Sequence, residues 1–370
     1  MPYPKFDRDE LDVKKLANRK NKVYIEKDNV PVDQHPVNLS ENGQKLIAKT
    51  AERILLAHQE KRSVMLTFGA HTIKNGMAPT LIALMEEGWL NHLATNGAAI
   101  IHDWEFAFQG KSSEDVRENV EHGQFGIWDK TGYYINLAII VGAYEGLGYG
   151  ESVGKMISLE GLQIPSIDDL QQEAIMILAT NPDRAAAAID LSGVIQKFDL
   201  STGFMSIPHP FKKYSVQARA FELGIPFTGH PMFGHDIIYN HPMNHGAAIG
   251  RTALNDFLAF TKNVSNLENG VYMSIGSAVM SPMIFEKALS LSQNIMIQNN
   301  SHIDNHFMLI VDLAKSDWDW QKDGEPPMDN PAYYLRYCKT FNRMGGEMHY
   351  LTADNRDFLL AIHQKLTEQY

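Results

Sequence analysis

From Ser63 onward the sequence repeats one pattern: a short apolar run, a turn of small residues, then a helical stretch. Residues 64–68 read Val-Met-Leu-Thr-Phe and close on Gly69, and residues 77–87 follow with helical spacing. Further runs fall at 90–95, 225–227, 271–275 and 308–313, each leading into a loop and a helix. Strands this short and this apolar, separated by helices, need crossover connections, so neighbouring strands run parallel and both sheet faces are covered. The expected fold class is α/β: a doubly wound, mostly parallel sheet flanked by helices. In such sheets ligands lie outside the carboxyl ends of the strands. The loops starting at Gly69, Thr95, Thr228, Gly276 and Asp312 are therefore where chemistry is expected.

Before that pattern, residues 1–40 show no amphipathic period and carry Pro2, Pro4, Pro31 and Pro36. We read them as an arm that packs on the body or on a neighbouring subunit, and residues 41–370 as a single domain. Ser40 is placed to cap a helix whose inward positions are Leu46, Ile47, Ala51, Ile54 and Leu55. The longest apolar run, 134–141, is short of the roughly 20 residues of a membrane span and reads as a buried helix or strand. Residues 317–331 hold three prolines and several acids and read as a long irregular loop.

The formal net charge of −11 argues against a nucleic-acid backbone as partner and suits a cationic ligand such as an amine. One cysteine, Cys338, allows no intrachain disulfide. With a polar, charged start lacking a leader-like apolar run, the expectation is a cytoplasmic protein with no membrane partner.

Several segments together resemble the deoxyhypusine synthase family. Met65-Leu-Thr-Phe-Gly-Ala-His-Thr-Ile-Lys-Asn-Gly76 and Leu93-Ala-Thr-Asn-Gly-Ala-Ala99 are similar to that family's first two strand ends, both of which lie on a dinucleotide. Gly110-Lys111, Arg117-Glu118-Asn119 and Gly270-Val-Tyr-Met-Ser-Ile-Gly276 match later segments in the same order. The resemblance covers residues 45–365. It implies the family's NAD-binding fold, NAD as cofactor, a small cationic amine as substrate, dehydrogenation of that amine with aminoalkyl transfer, and a homotetramer.

Carried over position by position, the resemblance puts His71, Thr95, Gly97, His102, Gly276, Ser277, Asp312, Ala353 and Asp354 around NAD. His71 replaces an asparagine and His102 an acid that faces the ribose, and a histidine cannot reproduce a carboxylate's grip on two hydroxyls. Lys339, eight residues after Pro331, matches the lysine that carries the imine. Tyr337, Cys338 and Tyr333 replace that element's tryptophan, glycine and acid. Asp236 matches a carboxylate that holds the polyamine, with His235 beside it; Asp317 and Asp319 lie where the family offers further acids to the amine. Pro282 and Met283 replace two histidines of the substrate site. A lysine nucleophile must be neutral, so Lys339 needs its pKa lowered, for which Arg336 and the tyrosines around it are the candidates. The family's substrate is thus expected to have changed here.

Two other readings stay open. His230, His235, His241 and His245 fall within sixteen residues, and with Asp236 they are candidates for a metal site serving a hydrolase or isomerase. A member that has lost catalysis and acts in binding or assembly is the third reading. His102 and Asp103 read either as a general-acid/base pair or as the polar start of a helix, with Asp103 near the positive end of its dipole. His209 reads as part of a turn, and Met280, Met283 and Met296 as core filler.

Overall fold

In the computed structural model, residues 3–368 are described. The chain divides into two compact units. One, here the sheet unit, comprises Asp28–Ala99, Ala220–His230 and the chain from Phe257 onward. The other, the helical unit, comprises the chain through Lys27, Ile100–Arg219 and Pro231–Asp256.

The sheet unit is built on six parallel strands: β1 (Val64–Phe68), β2 (His92–Thr95), β3 (Phe227–Gly229), β4 (Val271–Ile275), β5 (Phe307–Asp312) and β6 (Glu347–Thr352). Their order across the sheet is β6-β5-β4-β1-β2-β3. The chain therefore winds one way from β1 to β3, returns to the middle, and winds the other way from β4 to β6. That is the doubly wound order of dinucleotide-binding sheets, with its switch point between β1 and β4. Every residue of β1, β2 and β4 is buried, as expected where helices cover both faces.

Two strands match their sequence runs to the residue, β1 and β4. β3 begins two residues later than the 225–227 run, because Pro226 has no N–H to give a ladder; its carbonyl instead accepts from Leu93 (3.0 Å). The helix Glu41–Gln59 starts where Ser40 caps the Gly43 N–H at 3.0 Å, and buries Ile47, Ala51 and Ile54. Residues 317–331 are less irregular than their composition implies: Asp319 caps a short helix, Trp320–Asp323, that buries Trp320.

In the helical unit the 134–141 run lies within the helix Asp129–Glu145. The helices Ile167–Ile177 and Pro182–Phe198 pack together, and a two-stranded antiparallel ribbon joins Gly161–Ile164 to Gly203–Ser206. Arg19, from the proline-bearing arm, is buried and paired with both oxygens of Glu105 at 2.7 and 2.6 Å. Among the described residues no helix is long and apolar enough to cross a membrane.

Candidate functional site

The carboxyl rim of the sheet holds the first candidate site. Each strand end stays tied to its neighbour for one more hydrogen bond. Gly69 N–H donates to Ile275 O (3.0 Å), Gly276 N–H to Val311 O (2.9 Å), Ala353 N–H to Asp312 O (3.0 Å) and His230 N–H to Thr95 O (2.8 Å). The loops thus leave the sheet from a fixed row.

At the switch point Gly69 has no room for a side chain. A Cβ on Gly69 would lie 2.2 Å from the carbonyl oxygen of Gly276, and Gly276 itself has φ +54°, in the left-handed region, with open space beside its Cα. Bare backbone at a switch point is what a pyrophosphate needs for close approach, so this rim fits the dinucleotide that the resemblance implies. The helix after β4, Met280–Gln298, adds less than a bare terminus would: its Ser281 N–H already donates to Ser277 Oγ (3.2 Å), and Pro282 has no N–H.

The other cofactor candidates have mixed surroundings. Thr95 is fully buried and its hydroxyl donates to Phe68 O (2.7 Å), clamping β2 to β1. Gly97 opens the helix Gly97–Gln109, whose Ala99 N–H is capped by Asn96 Oδ1 (3.0 Å). His71 sits exposed in the short helix Ala70–Lys74. Asp312 closes an Asx turn by accepting from Ala314 N–H (3.2 Å). Ala353 is buried, and Asp354 is taken up by Arg356, whose guanidinium (2.9 and 3.1 Å) and backbone N–H hold its carboxyl below the usual range. His102 belongs to the helical unit, where its Nδ1 meets Ser112 Oγ at 2.7 Å.

Lys339 is in the short helix Arg336–Asn342 of the sheet unit. Its ammonium pairs with Glu325 at 2.8 Å and lies 3.5 Å above the centroid of the Tyr333 ring. Arg343 grips the same carboxylate (2.6 Å). The hydrogen bond to Glu325 raises the lysine pKa, with Tyr333 adding to it. This corrects the expectation of a lowered pKa: Arg336 and the tyrosines do not neutralise the amine, because a carboxylate stands next to it. Tyr337 meets Tyr350 (3.4 Å), and burial, Tyr350 and the Asp312 charge push its phenol up. Asp317 is exposed, and Asp319 serves as the helix cap described above.

The helical unit holds a second candidate site, around Asp236. Burial pushes this carboxyl up to about 6 against a lowering influence from His235, which is itself exposed. The hydroxyls of Tyr149 and Tyr239 are both buried, and neither has a hydrogen-bond partner among the described residues. Burial raises both phenols, and the Asp236 charge raises them further. Two orphaned phenols around one desolvated carboxylate make an arrangement suited to an ammonium group, which would supply the missing donors. Tyr149 is set there by the helix Tyr149–Leu159, whose Gly150 N–H donates to Asp256 (2.9 Å). Sequence reasoning found Asp236 and missed both tyrosines, since nothing in their spacing points to a shared partner.

The four histidines do not come together as a ligand set in this structure. Among the described residues no three His, Cys, Asp or Glu side chains gather to hold a metal ion. His241 Nδ1 accepts from Met243 N–H (3.0 Å), His245 Nδ1 accepts from Ala248 N–H (3.4 Å), and His230 belongs to the other unit. The prolines between them turn the chain, so closeness in sequence does not become closeness of side chains.

His102 and Asp103 do not pair either. Asp103 lies in the middle of its helix, not at its start, and its carboxylate accepts from Ser215 Oγ (2.6 Å), Val216 N–H (2.9 Å) and Gln217 Nε2 (2.9 Å). It caps the helix Val216–Leu223 from outside. Met283, read as core filler, is exposed.

No protein-family profile matches the chain, and no curated protein sequence is similar to it. Among solved structures, a complex of AgrE with ornithine and NAD+ superposes with a TM-score of 0.44 at 14% identity, over 90% of this chain and 34% of that one. An arginine dihydrolase, ArgZ, of the ornithine-ammonia cycle in cyanobacteria gives 0.41 at 13%, over 88% and 33%. A chain from Entamoeba histolytica, provisionally named a deoxyhypusine synthase, gives 0.38 at 11%, over 88% of each chain. The protein spans about a third of the length of the first two. Its central architecture, an α/β fold on a six-stranded parallel sheet, stands on its own strand order.

Proposed function

We propose that this protein is an NAD-dependent enzyme acting on a small cationic amine, in the manner of the deoxyhypusine synthase family but on a changed substrate. The observation that carries the reading is the switch point between β1 and β4, where Gly69 and Gly276 keep two backbones bare and in contact. Gly69, Gly97 and Gly276 would hold the dinucleotide, with Thr95 fixing the β2 end. NAD supplies the hydride acceptor for dehydrogenation of the amine.

The chain's own residues would do the rest. Asp236, with Tyr149 and Tyr239, binds an ammonium group and leaves its carbon skeleton to be oriented. Oxidation removes a hydride and a proton from the C–N unit and leaves an imine. By the resemblance alone, Lys339 would attack an imine, release the departing amine and form a lysine-bound imine, ready for transfer to an acceptor amine. Lys339 is held as a cation by Glu325 at 2.8 Å, so its proton must leave before it can attack. Asp317 lies exposed in the loop after β5, available to a second ammonium group. Following the resemblance, we also propose that the protein assembles as a homotetramer in the cytoplasm.

The test is turnover of NAD+ to NADH with a panel of linear polyamines. Amine-dependent reduction that is abolished in Asp236→Asn supports the reading. If Lys339→Ala leaves both oxidation and transfer intact, the covalent route is wrong while the dehydrogenase remains.

A further inference from the structure

Two buried histidines of the sheet unit are used by none of this chemistry. His92, on β2, is fully buried, and His230, which follows β3, is 7% exposed. Between them stands Thr228, whose Oγ1 is 3.0 Å from His92 Nε2 and 3.0 Å from His230 Nε2. Phe260 packs edge-on against both imidazoles, at 5.5 and 5.3 Å between centroids. Desolvation lowers both histidines to about 3, so both rings stay neutral.

A neutral imidazole has one N–H, and here the neighbours decide where it is. His92 Nδ1 is buried and has no partner among the described residues. A proton there would be an unmatched buried donor, which bears the full cost of its desolvation. His92 therefore carries its proton on Nε2 and donates to Thr228. The threonine has one hydrogen to give: His230 Nε2 is 3.0 Å away, and its other acceptor, Leu93 O, is at 3.5 Å, the edge of hydrogen-bond range. Donation to His230 Nε2 wins, which leaves the His230 proton on Nδ1. That nitrogen is not among the fully buried unpartnered atoms, and the His230 backbone N–H is tied to Thr95 O at the end of β2.

We propose that His92, Thr228 and His230 form a relay that fixes His230 as a neutral Nδ1–H donor at the carboxyl rim, positioned for an acceptor atom on the adenosine half of a dinucleotide. The ligand half of this inference rests on the function proposed above. The adenosine side follows from the topology, since the β2 end is where the first mononucleotide half of such sheets receives its ribose. A donor that does not titrate keeps the same grip across the physiological range, whereas a carboxylate would be confined to hydroxyls.

Two measurements on the whole protein test it. Nitrogen-15 NMR of the histidine rings should show His92 as the Nε2–H form and His230 as the Nδ1–H form. Thr228→Val, close in shape, should lift that preference at His230. His230 in the Nε2–H form in the wild type overturns the relay. For the ligand, ADP-ribose titrated calorimetrically should bind His230→Phe three- to tenfold more weakly than wild type, with circular dichroism unchanged, and His230→Asn, which keeps an N–H donor, should recover part of the loss. Equal affinity in His230→Phe overturns the donor role. Failure of wild type to bind either ADP-ribose or NAD+ overturns the ligand assignment and the proposed cofactor together, and leaves the relay to the NMR result.

Discussion

A side chain on Gly69 would press a carbon to within 2.2 Å of the carbonyl oxygen of Gly276. The two residues end the central strands β1 and β4, so the crossing of the two halves of the sheet is a contact between two backbones. Their substitutions should therefore behave differently. Gly69→Ala meets backbone, which cannot move aside cheaply, and should cost about 2–3 kcal/mol in urea denaturation. Gly276→Ala meets open space and bears only left-handed strain, about 1 kcal/mol. Equal losses would show that the strand ends relax around an added methyl.

Lys339 should become more reactive when its partner is removed. Glu325 holds the amine as an ammonium, so Glu325→Gln should lower the lysine pKa. Competitive labelling with acetic anhydride across pH 7–11 should place the midpoint for Lys339 lower in the variant. An unchanged midpoint would mean that Tyr333, not the carboxylate, holds the charge.

Asp236 makes a prediction with a definite sign. Its folded pKa, about 6, lies above the ordinary aspartate value because burial disfavours the charge. The cost of that charge is absent below about pH 4, grows as pH rises to 6, and is constant above. Asp236→Asn should thus match wild-type stability at pH 4 and exceed it at pH 7 by about 1–3 kcal/mol. Ammonium binding needs the carboxylate, so affinity for a polyamine should rise through pH 6 in the wild type and be flat in the variant.

Glu347 has the opposite sign. Burial alone would raise it, but hydrogen bonds from Lys49, His349 and Arg53 prevail and hold it at about 2. Its stabilisation is complete above the unfolded glutamate pKa and is lost as pH falls from about 4.5 towards 2. Wild type should exceed Glu347→Gln by about 1–2 kcal/mol at pH 6, a figure reduced for solvent contact, and the gap should close by pH 2. A gap that persists at pH 2 would point to packing instead of charge.

The sheet was legible in the sequence because a strand buried on both faces must be apolar throughout, as in Val64–Phe68 and Val271–Ile275. So were its glycine ends, since no other residue tolerates the contact at Gly69. Positions whose partners are distant in sequence were not legible. Asp103 reads as a helix start until Ser215 and Gln217, more than a hundred residues later, turn out to hold it. Tyr149 and Tyr239 become site candidates only when their hydroxyls are found without partners near Asp236. The four histidines looked like a cluster because sequence spacing says nothing about the turns that prolines impose.

Calorimetric titration of NAD+ into the wild-type protein and Gly276→Ala tests the central claim most directly. The Gly276 Cβ would stand in the open space where the dinucleotide backbone must approach. The account predicts one NAD+ per chain in the wild type and at least tenfold weaker binding in the variant, with a melting temperature within a few degrees. Absence of NAD+ binding in the wild type, or equal affinity in the two proteins, would contradict it.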